Sequence, residues 1–266
     1  MADARAHTCS STGLRLVPSR GEVIHRLAKE SYGAMNPPER VEGTNRAAWG
    51  RFDVPGRPVI YGATPMAACY AEALAYFRVA EDIATTKLGD MFDDLEGAAA
   101  DRPLADVVSQ EWAAKNHMPP NGVPAGWRNE RLIYALRLPA SGWFVDVCHA
   151  DTIAQLDAQF RDVLEGKGIA RLTQAHLLGD DRDSTTMFSE WFWRLTLDDG
   201  SRPHGVRFPS KHGANYFCFA IYLRRLADGA EVSTEPTSAD DGKEIGPPAR
   251  NSPLRQVTQN FKMTCH

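Results

Sequence analysis

The sequence predicts an α+β fold, and three observations predict it. The strand-like and helix-like stretches do not alternate as regular β–α units, which argues against a doubly wound sheet. Residues 51–77 place a turn, a strand and a helix in immediate succession. Ala214 to Leu223 is a nearly continuous apolar and aromatic run, the pattern of a strand buried on both faces.

The 51–77 stretch organises the chain. Pro55-Gly56 signals a turn, because Pro presets φ and Gly accepts positive φ. Val59-Ile60-Tyr61 is a short β-rich run. Thr64-Pro65 then reads as a helix start, with Thr64 as cap and Pro65 at the first helical position, where a missing N–H costs nothing. The Ala-rich run to Phe77 favours helix. Arg51, Tyr61 and Glu72 thus sit on three successive elements, so a cation, a phenol and a carboxylate stand ready to converge on one ligand. Each also has an ordinary structural role: a solvated Arg before a turn, a half-buried strand Tyr, a Glu on a wet helix face.

The remaining elements follow from local patterns. Residues 1–19 read as a flexible N-terminus, small and polar at its start. Val23 to Leu27 is the first expected strand and carries Arg26. Leu88 to Leu95 reads as a short amphipathic helix, and Leu104 to Ala114 as a better one, with Leu104, Val107, Val108 and Trp112 at helical spacing. Residues 117–126 are dense in Pro and Gly and form a loop, so 79–130 is expected to be an insertion or a lid. Arg131–Leu138 and Trp143–Cys148 are strands. A helix capped by Asp151-Thr152 runs to Leu164 and stops at Gly166. A second starts at Asp183-Ser184, aligns Met187, Phe188, Trp191 and Leu195 on one face, and ends by Asp199-Gly200. Gly205–Ser210 is a strand leading into the polar loop 210–213. The Gly, Pro, Ser and acidic composition of 227–266 reads as a mostly disordered tail.

Composition excludes several classes. The 266 residues are 43% hydrophobic and 24% charged, enough for a core without metals or disulfides. A net charge of -4 gives no basic balance for nucleic acid. No apolar run reaches the ~20 residues of a membrane helix. Five scattered cysteines argue against a disulfide framework and for a reducing compartment, so the cytoplasm is the expected location. Cys148-His149 and Cys265-His266 lack further ligands at metal spacing, so no metal site is expected. The acidic run Asp180–Asp183 reads as a turn and helix cap, and Trp191-Phe192-Trp193 as core and partner surface.

Taken together, these pieces resemble the RES domain. The residues that carry the resemblance are Arg26 on a first strand, Gly50-Arg51-Phe52 leading through Pro55-Gly56 to Tyr61, Ala71-Glu72-Ala73-Leu74 on the helix, and Gly205-Val206-Arg207-Phe208-Pro209-Ser210 before Asn215. The resemblance extends over about 20–226, which is therefore the expected catalytic domain. It implies an ADP-ribosyltransferase-like fold, a bent or split β-sheet flanked by helices. It further implies a toxin of a bacterial toxin–antitoxin pair that consumes NAD by hydrolysis or phosphorolysis of the nicotinamide–ribose bond, with a cognate antitoxin or immunity protein as partner.

The implied reaction suits these residue types. Loss of neutral nicotinamide leaves positive charge on the ribose, which a nearby carboxylate stabilises as in glycoside chemistry. Glu72 is assigned that role. Arg26 and Arg51 suit the pyrophosphate, because a planar guanidinium binds it bidentately. Tyr61 is expected to stack on nicotinamide or to bind a ribose or phosphate oxygen. Ser210 is expected to bind a phosphate or the incoming nucleophile; no Gly-x-Ser-x-Gly elbow surrounds it, so a covalent role is not expected. Each keeps its plain alternative, a strand charge for Arg26 and a backbone-capping turn Ser for Ser210. Without a Gly-x-Gly-x-x-Gly or Walker pattern, NAD enters as substrate and no cofactor is expected. Transfer of ADP-ribose to a protein is the alternative activity, an inactive partner-binding module the alternative class, and a homo-oligomer stays open.

Overall fold

The computed structural model describes residues 5–78, 86–90, 97–114, 118, 121–224 and 235–266. They fall into two compact units: Met1–Cys69 with Ile133–Lys243, and Tyr70–Leu132 with Glu244–His266.

The first unit is built on one mixed sheet. Its strands are β1 (His7–Thr8), β2 (Arg15–Pro18), β3 (Val23–Lys29), β4 (Val59–Thr64), β6 (Arg131–Arg137), β7 (Trp143–Asp146), β8 (Gly205–Ser210), β9 (Gly213–Tyr222), β10 (Thr237–Ser238) and β11 (Lys243–Glu244). The order is β1-β2-β7-β8-β9-β4-β3-β6-β10, with β11 also on β6. β7 and β8 run parallel, whereas β8–β9 and β9–β4 are antiparallel. This is an α+β architecture, as the irregular order of strand and helix signals indicates. β9 lies between β8 and β4, and Cys218 to Tyr222 are buried on both faces, as the unbroken apolar run requires.

Helices α4 (Ala150–Gln159), α5 (Arg161–Gly166), α6 (Gln174–Leu178) and α7 (Arg182–Arg194) belong to this unit. The single helix expected after Asp151 is two helices, capped by the His149 ring and broken at Phe160. α7 is capped by Asp181, whose carboxylate accepts from Ser184 N at 3.1 Å. Its buried stripe includes Phe188, Ser189 and Phe192, so Phe192 rather than Trp191 lies inward. The N-terminus departs from expectation as well. β1 and β2 are sheet strands, and Leu14 and Leu16 are wholly buried. Two buried leucines anchor a segment whose polar start reads as loose.

Helix α1 (Met66–Leu74) follows β4 and carries the chain into the second unit. It opens at Met66, one residue later than the Thr64-Pro65 signal suggests; Pro65 O accepts from Ala68 N at 2.8 Å. The second unit also holds α2 (Leu104–Ala114), β5 (Gly122–Val123), α3 (Ala125–Asn129), α8 (Ser252–Asn260) and β12 (Thr264–Cys265). Of the expected Leu88–Leu95 helix, a 3₁₀ turn covers Leu88–Asp90, and 91–96 lie outside the described residues.

The stretch read as a disordered tail is structured wherever it is described. Asn251 caps α8 by accepting from Leu254 N at 3.2 Å, and its amide donates to the Tyr70 hydroxyl at 2.9 Å. Leu254 and Val257 are buried, and β12 pairs in parallel with β5. A short amphipathic helix needs few apolar residues, and polar flanks hide them in a composition count.

Candidate functional site

The Gly50–Asp53 turn fixes two of the expected site residues. Asp53 is buried and accepts from Arg40 Nε at 2.6 Å and from Gly50 N at 2.8 Å. Across the turn, the Tyr61 hydroxyl accepts from Phe52 N at 2.8 Å. Burial of that hydroxyl, reinforced by the Asp53 charge, holds the phenol proton well above its ordinary range. Tyr61 therefore holds the turn through Phe52 N.

Arg51 rides on the same turn. It is half-buried, and its Nε donates to Gly179 O at 3.0 Å. Arg182 Nη1 donates to the same carbonyl at 2.9 Å. Near Arg51 lies Cys148, whose thiol is pushed up to about 12 by burial and the Asp146 charge, with Arg51 opposing. That thiol is inert at neutral pH. Sequence spacing thus joins Arg51 to Tyr61, through the backbone of Phe52.

Arg26 lies elsewhere. In β3–β4 the pair His25↔Ala63 shares one face, and Tyr61 has the parity of Ala63. Alternation then puts Arg26 on the opposite face, with Ile24 and Gly62. Ile24 Cδ1 lies 2.5 Å from where a Gly62 Cβ would stand, which confirms that Ile24 and Gly62 share this face. Arg26 is buried, at 7% exposure, and burial lowers its pKa to about 10. It remains a cation at neutral pH. Its Nη1 donates to Tyr61 O at 3.3 Å, while its Nε is buried with no hydrogen-bond partner. Among the described residues it has no ion pair. A buried guanidinium in that condition is costly unless an anion completes it.

The same face carries a cavity of about 320 Å³ lined by Thr64, Phe144, Arg207, Phe217 and Phe219 among others. Strand register explains the lining. Thr64↔Phe217 and Arg207↔Phe219 are cross-strand partners on the face of Gly62, itself paired with Phe219. Arg207 stacks 3.9 Å from the Phe217 ring centroid and reaches Asp146 at 3.3 Å. Strand parity, with Arg207 opposite Phe219, turns this arginine toward the cavity.

Ser210 is buried, at the hairpin where the β8–β9 register shifts, and its hydroxyl accepts from His212 N at 3.0 Å. Glu72 is half-buried on α1 and belongs to the second unit. The first unit alone therefore joins the Arg51 turn to the Tyr61 hydroxyl, while strand alternation puts the Arg26 side chain on the face opposite the Tyr61 ring.

Among the described residues no cluster of His, Cys, Asp and Glu has the form of a metal site. No helix among them is long and apolar enough to cross a membrane.

Comparison with known proteins gives three results. No curated protein matches the chain. A solved structure, the M. tuberculosis MbcT–MbcA toxin–antitoxin complex, aligns at 16% identity over 88% of this chain and 89% of that chain, with a TM-score of 0.41. The family model described as the RES domain matches residues 23–140. Arg26, Arg51, Tyr61 and Glu72 all lie within that match, so over residues 23–140 this chain is similar to the RES domain.

Proposed function

We propose that the protein cleaves the nicotinamide–ribose bond of NAD and acts as a toxin restrained by a cognate antitoxin. In this reading NAD is a substrate. Glu72 is the carboxylate that holds the ribose and stabilises its oxocarbenium-like state. Arg26 and Arg51 neutralise phosphate oxygens. Tyr61 holds the turn that carries Arg51, and so acts by positioning that arginine. Ser210 offers a hydroxyl to a phosphate or to the nucleophile.

The observation that carries the reading is Arg26: a buried cation whose Nε lacks a hydrogen-bond partner and which has no ion pair among the described residues. A fold keeps such a group where a bound anion repays its desolvation. The RES match supports this reaction class through the resemblance drawn from the sequence, which implies NAD as substrate. Antitoxin pairing rests on the same resemblance.

The test is incubation of purified protein with NAD, with and without phosphate, and separation of products. Free nicotinamide with ADP-ribose indicates hydrolysis, and with the ribose 1″-phosphate, phosphorolysis. Label retained on protein would replace this reading with ADP-ribosyl transfer. Glu72→Gln should abolish NAD loss while leaving the folded state intact; equal turnover by that variant would remove Glu72 from the site.

A further inference from the structure

A second cavity, of about 360 Å³, lies in the first unit away from any residue assigned above. Arg57, Arg194, Arg202 and Trp193 line it, together with Glu42 and Glu190. Arg57 comes from the turn before β4, Trp193 and Arg194 from the end of α7, and Arg202 from the loop before β8.

Trp193 is the hub. The Arg57 guanidinium stands 5.7 Å from its ring centroid and that of Arg224 stands 4.2 Å from it. Arg224 is held from behind, donating to Trp193 O at 2.9 Å and Pro203 O at 3.2 Å, and its Nε is buried without a partner. Burial, then the charges of Arg202 and Arg57, lower the Arg224 pKa to about 10. Three guanidiniums are therefore close enough to repel one another. Among the described residues none of the three has an ion pair, while Glu190 is taken by Arg194. Three arginines and two glutamates line the pocket, and Arg224 sets a fourth guanidinium against the Trp193 ring outside that lining, so the positive charge is in surplus.

We infer that this pocket binds the phosphoryl group of a small molecule, clamped by Arg57 and Arg202 over Trp193. A phosphoryl anion offsets the charge of Arg57 and Arg202, which have no ion pair among the described residues, and the planar fork of each guanidinium matches phosphate oxygens bidentately. Because guanidiniums already occupy the indole, recognition runs through charge and hydrogen bonding rather than base stacking. Inorganic phosphate and a phosphate monoester share this chemistry. The inference does not depend on NAD cleavage.

Titration calorimetry of the full chain with inorganic phosphate and with glycerol phosphate tests it, at constant ionic strength because exposed charges are screened. Saturable binding is expected, weakened about tenfold or more in Arg57→Gln/Arg202→Gln, a loss well outside a screening effect. Arg202→Lys keeps the charge and loses the fork, so it should fall between the two. Circular dichroism confirms that each variant is folded. Tighter glycerol phosphate than phosphate assigns an ester ligand, and the reverse order assigns the free anion. Absence of saturable heat, or unchanged affinity in the double variant and in Arg202→Lys, overturns the site.

Discussion

A Cβ on Gly50 would stand 2.4 Å from the Tyr61 hydroxyl oxygen, so the turn that carries Arg51 closes over that ring only because residue 50 is glycine. The obstacle is a buried hydroxyl already bonded to Phe52 N, and it has nowhere to retreat. Gly50→Ala should destabilise the protein by about 1–3 kcal/mol, the usual cost of overpacking. Tyr61→Phe removes the acceptor for Phe52 N and should cost about 1–3 kcal/mol as well. Urea midpoints measure both. If Tyr61→Phe leaves the midpoint unchanged, the hydroxyl does not hold the turn.

Arg26 gives a prediction of opposite sign. Its folded pKa, near 10, is below its ordinary 12.5 because the charged form is desolvated. A base whose pKa is lowered by folding binds fewer protons in the folded state, so it weakens the fold at neutral pH and stability recovers between the two pKa values. Arg26→Met keeps the stem and removes the charge. The variant should be more stable by roughly 1–4 kcal/mol, the range seen when buried charges are replaced by apolar groups. It should also lose NAD cleavage if Arg26 holds the pyrophosphate. A stable variant with full turnover would confine Arg26 to a structural role.

Two histidines set the acid side of the stability curve. His25 and His204 both have pKa values lowered from 6.5, in each case chiefly by burial. His204 Nε2 donates to Ser141 O at 2.8 Å, and His25 Nδ1 is buried without a partner. Asp240 raises and Lys243 lowers the His25 value, while Arg224 opposes charge at His204. The unfolded chain takes up these protons first on acidification. Stability is therefore full above about pH 6.5 and falls below it. The urea midpoint should drop between about pH 7.5 and about pH 5.5, and His204→Gln should reduce that drop. A flat profile over this interval would show that neither ring titrates differently on folding.

Much of the fold is legible because its signals are local. The alternation of 131–138, the helical spacing of 104–114 and the apolar run of β9 each name one element, and each forms. The site is legible in part. Consecutive elements declare Arg51 and Tyr61, whereas the Phe52–Tyr61 bond needs a hydroxyl to reach across a turn, which no period encodes. The side of the sheet taken by Arg26 depends on the register His25↔Ala63, a pairing between residues 38 positions apart that only the folded ladder defines. The Trp193 pocket is less legible still, since its arginines come from positions 57, 194, 202 and 224.

The C-terminal segment offers the last test. Composition alone reads 227–266 as disordered, yet Leu254 is wholly buried on α8, Val257 lies beside it in the buried stripe, and Asn251 both caps the helix and bonds Tyr70. Arg128 ties the end of the chain within the same unit, donating to His266 O at 2.6 Å and Ile245 O at 2.9 Å. Truncating a buried leucine removes its transfer energy and leaves a cavity, so Leu254→Ala should cost about 2–5 kcal/mol. Replacing the exposed neighbour Arg255 by Ala should cost about 0.5 kcal/mol or less. Hydrogen exchange should report the same contrast, with α8 amides protected in the parent chain and exposed first in Leu254→Ala. Equal, negligible effects of the two substitutions would mean that α8 is not packed and that the compositional reading of this segment holds.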